Sequence, residues 1–178
     1  IEIGANEEIG RINVDGDWTG GITDVNDAHE YTITDKVTVS GNLGFNLEAE
    51  GFGGSVEIGG FGANGRLHSR IEGESESDFA KTVTVKDDVQ VDRAIEKPLI
   101  KADGSISQLE FQGSVNSVSG NTLIEADSGI GDITVSDSLD VGYAKGSGDP
   151  AVISAGGLVG TLEIGPQSDE EVESGQEY

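Results

Sequence analysis

The sequence predicts an all-β protein, a parallel β-solenoid of about seven coils of about 25 residues each. Three observations lead there. A short phrase (apolar, any, Val or Ile, any, then a small or acidic turn and another apolar residue) recurs at near-regular spacing. Alternating β-branched stretches are frequent, while no window sustains the i, i+3, i+4 spacing of an amphipathic helix. Glycine is 28 of 178 residues, placed where a tightly coiled chain turns its corners.

The clearest copies are Ile12-Asn13-Val14-Asp15-Gly16-Asp17-Trp18, Val37-Thr38-Val39-Ser40-Gly41-Asn42-Leu43, Val83-Thr84-Val85-Lys86-Asp87-Asp88-Val89 and Ile133-Thr134-Val135-Ser136-Asp137-Ser138-Leu139. Their starts lie 25, 46 and 50 residues apart, so one unit of about 25 accounts for all three gaps. Weaker copies begin at Val56, Ile106 and Leu162. Stacking the copies predicts one inward row of Ile12, Val37, Val56, Val83, Ile106, Ile133 and Leu162, and a second of Val14, Val39, Ile58, Val85 and Val135. Trp18 is expected in such a row rather than on a ligand platform. Residues 1–165 read as one β-rich domain, the polar stretch 64–81 as an inserted loop, and residues 166–178 as an acidic, flexible tail.

The same alternation also fits an antiparallel β-sandwich or jelly roll. Tyr31 to Val39 could fold back at Asp35-Lys36, and Val83 to Val91 could form another hairpin. Gaps from 19 to 29 residues keep that architecture open.

The formal net charge is −24, from 34 acidic and 10 basic residues. That disfavours nucleic acid and anionic membrane, which recruit basic faces. It also calls for salt or divalent cations before like-charged chains can meet. With no cysteine there is no disulfide framework and no thiol chemistry. No apolar run nears the ~20 residues of a membrane-spanning helix, so membrane insertion is not expected. The chain opens Ile1-Glu2-Ile3 without methionine, as a processed product or an excised piece would.

The run Ile9-Gly10-Arg11-Ile12-Asn13-Val14-Asp15-Gly16-Asp17-Trp18-Thr19-Gly20-Gly21-Ile22 resembles the Gly-rich repeats of right-handed parallel β-helix surface proteins. Large bacterial adhesins and filamentous-haemagglutinin-like passengers carry similar text. The resemblance covers about half of the chain, implies an extracellular or cell-surface, non-catalytic role, and transfers no functional residue.

The best metal candidate is a Ca2+ site from Asp15, Asp17, Asp24, Asn26, Asp27 and Glu30, all oxygen donors around expected turns. Their order is not that of an EF-hand loop. Asp87, Asp88 and Asp92 form a second acidic turn. His29 and His68, 39 residues apart and without cysteine, do not read as a zinc pair. Arg66, His68 and Arg70 would share one strand face and could meet an anionic sugar or a neighbour's acidic tail. Paired carboxylates are the only catalytic chemistry on offer, and 34 acids make pairing uninformative. There is no serine elbow and no phosphate loop, and nine aromatics are few for a sugar-stacking groove.

These observations lead to an expectation of a non-enzymatic structural protein: a self-assembling subunit of a surface filament, sheath or adhesive layer, dependent on cations, with copies of itself as partners. An adhesin or carbohydrate-binding module facing glycans is the second expectation, and a polysaccharide-acting enzyme the third.

Overall fold

The computed structural model describes residues 2–3, 8–19, 23–24, 32–64, 67–74, 78–92, 95, 97–117, 121–141, 153–157 and 160–165. Among them there is no helix, and so none long and apolar enough to cross a membrane. The strands stack as a parallel β-solenoid of about five turns.

Three faces build the stack. The long face runs in strict chain order through Glu8–Val14, Thr32–Leu43, Ser55–Phe61, Asp78–Val85, Ser105–Phe111, Gly129–Val135 and Leu162–Ile164, with Gly51–Phe52 added beside the second of these. The second face stacks Leu47–Ala49, Ile71–Gly73, Ile100–Ala102, Ile124–Ala126 and Ile153–Ala155. The third stacks Val89–Val91, Val115–Ser117 and Leu139–Val141. All of these pairings are parallel. Strand order that follows chain order on every face requires the chain to wind forward one coil at a time.

Register explains the alternation. Parallel sheets covered on both sides read as continuous apolar runs, but here only the inner side is covered, so apolar and polar residues alternate. On the long face Ile12, Val37, Val56, Val83, Leu109, Ile133 and Leu162 stand in one inward row, and Val14, Val39, Ile58, Val85, Phe111, Val135 and Ile164 in the next. The middle members of both rows are fully buried, each contributing about 1.5–3 kcal/mol relative to exposure. The second face pairs a large inward row, Leu47, Ile71, Ile100, Ile124 and Ile153, with a small one, Ala49, Gly73, Ala102, Ala126 and Ala155. Trp18 is buried and bridged in parallel to Leu43, inside the stack as expected. Asn121, also buried, is satisfied: its Oδ1 accepts from the Ile95 N–H at 3.0 Å and its Nδ2 donates to Ser117 Oγ at 3.1 Å.

Several expectations need correction. Among the described residues seven strands lie along the long face and five of them are followed by a second-face strand, so about five turns form rather than seven. Thr23–Asp24 pairs with Glu2–Ile3, apart from the second-face sheet. Leu109, not Ile106, occupies the first row. Ile106 belongs to an earlier inward position, in register with Ala80 and Ile130. Both sandwich hairpins are absent. Thr32–Leu43 is one continuous strand, and Val83–Val85 and Val89–Val91 lie on different faces, because the Lys86-Asp87-Asp88 segment turns a corner rather than reversing the chain. Stretch 64–81 is not simply an inserted loop. A short antiparallel pair, Ala63–Asn64 with Leu67–His68, leads into Ile71–Gly73, whose Ile71 is buried between Leu47 and Ile100. The tail 166–178 lies outside the described residues.

Candidate functional site

Most long-face strands end on the second inward row, and the few residues that follow turn a corner. Gly16 turns the first corner with a φ of 112°, in the left-handed region that favours glycine. The acidic residues there point along the stack. Asp17 Oδ1 accepts the backbone N–H of Asn42 at 2.9 Å, and Asp88 Oδ1 accepts that of Ser114 at 2.7 Å. Asp15 Oδ1 accepts from Ser40 Oγ at 3.3 Å, while Ser40 Oγ accepts the Gly16 N–H at 2.7 Å. These carboxylates bind the corner of one coil to the corner of the next.

For the expected Ca2+ set, this places Asp15 and Asp17 together on the first corner, engaged with Ser40 and Asn42. Asp24 is on a short strand beside Ile3, and only its backbone is described. Asn26, Asp27 and Glu30 lie outside the described residues. No group of three or more His, Cys, Asp or Glu able to hold a metal ion occurs among the described residues. In the second acidic turn, Asp88 holds Ser114 and Asp92 accepts from Gln90 Nε2 at 2.5 Å, so these residues brace the fold instead of converging. His29 and Arg66 lie outside the described residues, and His68 is described by its backbone only.

Arg70 takes a role that sequence reasoning missed. Its guanidinium forks between Glu48 Oε1 and Glu72 Oε2, both at 2.6 Å, on the outer side of the second face. Lys101 extends the chain of charges to Glu72 at 3.6 Å and Asp103 at 2.8 Å. Burial pushes the Glu72 carboxyl upward, but the hydrogen bond and charge of Arg70, with Lys101, outweigh it and hold the group below the usual carboxylate range. Lys101 is raised, chiefly by its hydrogen bond to Asp103. On the long face Glu57 is lowered by hydrogen bonds from Lys36 and Lys86. These three groups are all shifted toward their charged forms. The signal for this face was present in the sequence as a second phrase (Leu47-Glu48-Ala49-Glu50, Ile71-Glu72-Gly73-Glu74, Ile100-Lys101-Ala102-Asp103, Ile124-Glu125-Ala126-Asp127), which register now aligns.

Among the described residues the stack is open at its last long-face strand. Leu162 and Ile164 sit in the two inward rows, yet they are 49% and 50% exposed, whereas Ile133 and Val135 directly beneath them are buried. Thr161 accepts from the Ile133 N–H and the Gly165 N–H donates to Val135, so alternate residues 161, 163 and 165 face the previous strand. The backbone groups of Leu162 and Ile164 therefore face the opposite edge, and no strand among the described residues lies there.

No family model, curated protein or solved structure matches the chain.

Proposed function

We propose that the protein is a structural, self-assembling subunit of a filament, sheath or adhesive layer outside the cell, whose contacts form when cations screen its charge. The observation carrying this reading is the edge at Leu162 and Ile164, where inward-row apolar residues are about half exposed and no strand among the described residues pairs. Such an edge is a template for another chain, and apolar residues on it add the burial that makes pairing favourable. The net charge of −24 opposes that contact until screened. The resemblance to Gly-rich β-helix surface proteins supports the location.

Sedimentation velocity and negative-stain microscopy test the reading over a salt series, with millimolar Ca2+, and after chelation. Elongated assemblies that grow with salt or Ca2+ and are lost in Leu162→Ser/Ile164→Ser are expected. Monomers under every condition overturn it. Assembly driven equally well by Ca2+ and by monovalent salt at matched ionic strength assigns the cation a screening role rather than a specific site.

A further inference from the structure

We propose that the Asp15–Gly16 step is an isomerisation site, where the chain can rearrange into isoaspartate, and that the Ser40 hydroxyl of the following coil keeps it closed.

The chemistry is that of an aspartate followed by glycine, whose missing Cβ leaves its nitrogen uncrowded. The Gly16 nitrogen attacks Asp15 Cγ, the N–H proton leaves with one carboxyl oxygen as water, and a succinimide ring forms. Water then adds back. Breaking the bond from nitrogen to Cγ restores aspartate. Breaking the bond from nitrogen to the main-chain carbonyl carbon leaves the chain running through Cβ and Cγ, one atom longer, with a free α-carboxylate. One water is lost and one regained, and no other reactant is needed.

The sequence holds two such steps, Asp15-Gly16 and Asp103-Gly104. They stand in different surroundings. Gly104 is buried, and the Asp103 carboxylate is paired with Lys101 at 2.8 Å. Asp15 is exposed to water and pairs with no cation among the described residues. Nor can the corner trade its glycine away, because Gly16 has a φ of 112°.

Ser40 acts on both reacting groups. Its Oγ accepts the Gly16 N–H at 2.7 Å and donates to Asp15 Oδ1 at 3.3 Å, the longer of the two contacts. The nitrogen's lone pair is committed to its own peptide carbonyl, so ring closure requires the N–H proton to leave and the nitrogen to turn toward Cγ. Reacting atoms must also meet in line at about 3–3.5 Å. The bridging hydroxyl opposes both: it ties the N–H and the carboxylate to itself rather than to each other. The same coil pins the rest of the corner. The Gly41 N–H donates to the Gly16 carbonyl at 3.0 Å, and Asp17 accepts the Asn42 N–H at 2.9 Å. An isoaspartate at 15 would lengthen the corner by one atom and pull it out of register with Gly41 and Asn42.

Ageing in warm neutral buffer tests this, with isoaspartate located by peptide mass spectrometry using electron-transfer fragmentation. Wild type, Ser40→Ala, Ser40→Thr and Ser136→Ala are compared folded and in urea. Ser136 follows Val135 as Ser40 follows Val39, and so supplies a matched corner serine remote from either step. Folded wild type should isomerise at 15 far more slowly than in urea. Ser40→Ala should raise the folded rate at 15 about fivefold, the factor of one lost hydrogen bond, and leave position 103 unchanged. Ser40→Thr keeps the hydroxyl and should stay near wild type, as should Ser136→Ala. An unchanged or slower rate at 15 in Ser40→Ala overturns the proposal, as does a folded wild type that isomerises at its urea rate. Ser40→Thr as fast as Ser40→Ala shows that the hydroxyl is not the guard. Equal rises at 15 and 103, or a Ser136→Ala as fast at 15 as Ser40→Ala, replace local guarding with general loosening.

Discussion

Asp88 and Ser114 belong to successive coils, and the Asp88 carboxylate accepts the Ser114 backbone N–H at 2.7 Å. The residue before Ser114 is Gly113, and a Cβ there would lie 2.5 Å from Asp88 Oδ1 and 2.9 Å from the Asp88 nitrogen. The first corner repeats the arrangement: Asp17 holds Asn42, and a Cβ on Gly41 would strike Asp17 Oδ1. An acid on one coil and a glycine on the next form a matched pair, and the glycine is there for close approach.

Gly113→Ala should therefore destabilise the fold by about 1–3 kcal/mol, as overpacking does. Asp88→Ala should cost about 1 kcal/mol through the lost hydrogen bond. The double variant should lose less than the sum, because the clashing oxygen is gone. Urea denaturation of the four proteins measures this; strict additivity would separate the two positions.

Arg70→Lys is not conservative here. A single ammonium cannot reproduce the fork between Glu48 and Glu72, whose side chains are 18% and 12% exposed. A loss of about 1–2 kcal/mol is expected for Arg70→Lys, and about 3 kcal/mol for Arg70→Met, which takes the shared guanidinium away from two largely buried carboxylates. Thermal or urea unfolding reads both, and equal stability of Arg70→Lys and wild type would contradict the fork.

The ion-pair ladder also has a pH signature. The folded-state pKa of Glu72 is lowered from its ordinary 4.5, so its contribution is present above that value and is lost as pH falls through the folded pKa. The stability gap between wild type and Glu72→Gln should narrow toward zero in acid. Lys101 is raised above its ordinary 10.5, so its contribution persists below that value and is lost as pH rises through the folded pKa. The gap to Lys101→Met should narrow only in strong alkali. Comparing each variant with wild type at every pH cancels the relief of general repulsion that acid brings to a chain of net charge −24.

Trp18 is buried, and its Nε1–H has no hydrogen-bond partner among the described residues. Trp18→Phe removes that N–H with no bond to lose, so the change should come from ring volume alone. A destabilisation below about 1.5 kcal/mol is expected. Loss on the scale of Phe→Ala, about 3–5 kcal/mol, would show that the indole nitrogen holds something.

The sequence carried the β class and the solenoid legibly, because alternation and repeat spacing are direct consequences of stacking. It misplaced one coil. In Ile106-Ser107-Gln108-Leu109-Glu110-Phe111 three residues face inward, and two successive outward residues, Ser107 and Gln108, break the period of two. Choosing Leu109 over Ile106 makes the neighbouring steps 26 and 24 residues, more even than 23 and 27. The second face was missed because its phrase is three residues long and half its inward positions are Ala or Gly, which hydrophobic patterning does not register. The site was less legible than the fold. Acidic turns look the same in sequence whether their oxygens meet a cation or the next coil's N–H, and only register shows Asp17 and Asp88 engaged with Asn42 and Ser114. The open end depends on which row is covered, a property of the whole stack.

Strand order that follows chain order on every face gives each coil only two neighbours. Stability is then a sum of local steps, and folding can spread from any coil to the next. Excising residues 105–128 would bring Gly104 to Gly129 with every inward row still continuous, leaving a molecule shorter by one spacing of roughly 4.8 Å and unchanged in cross-section. In such a molecule the number of repeats is a ruler. Length can be lengthened or trimmed by duplication or loss of a coil, while the coils on either side of the change keep their register and their surfaces.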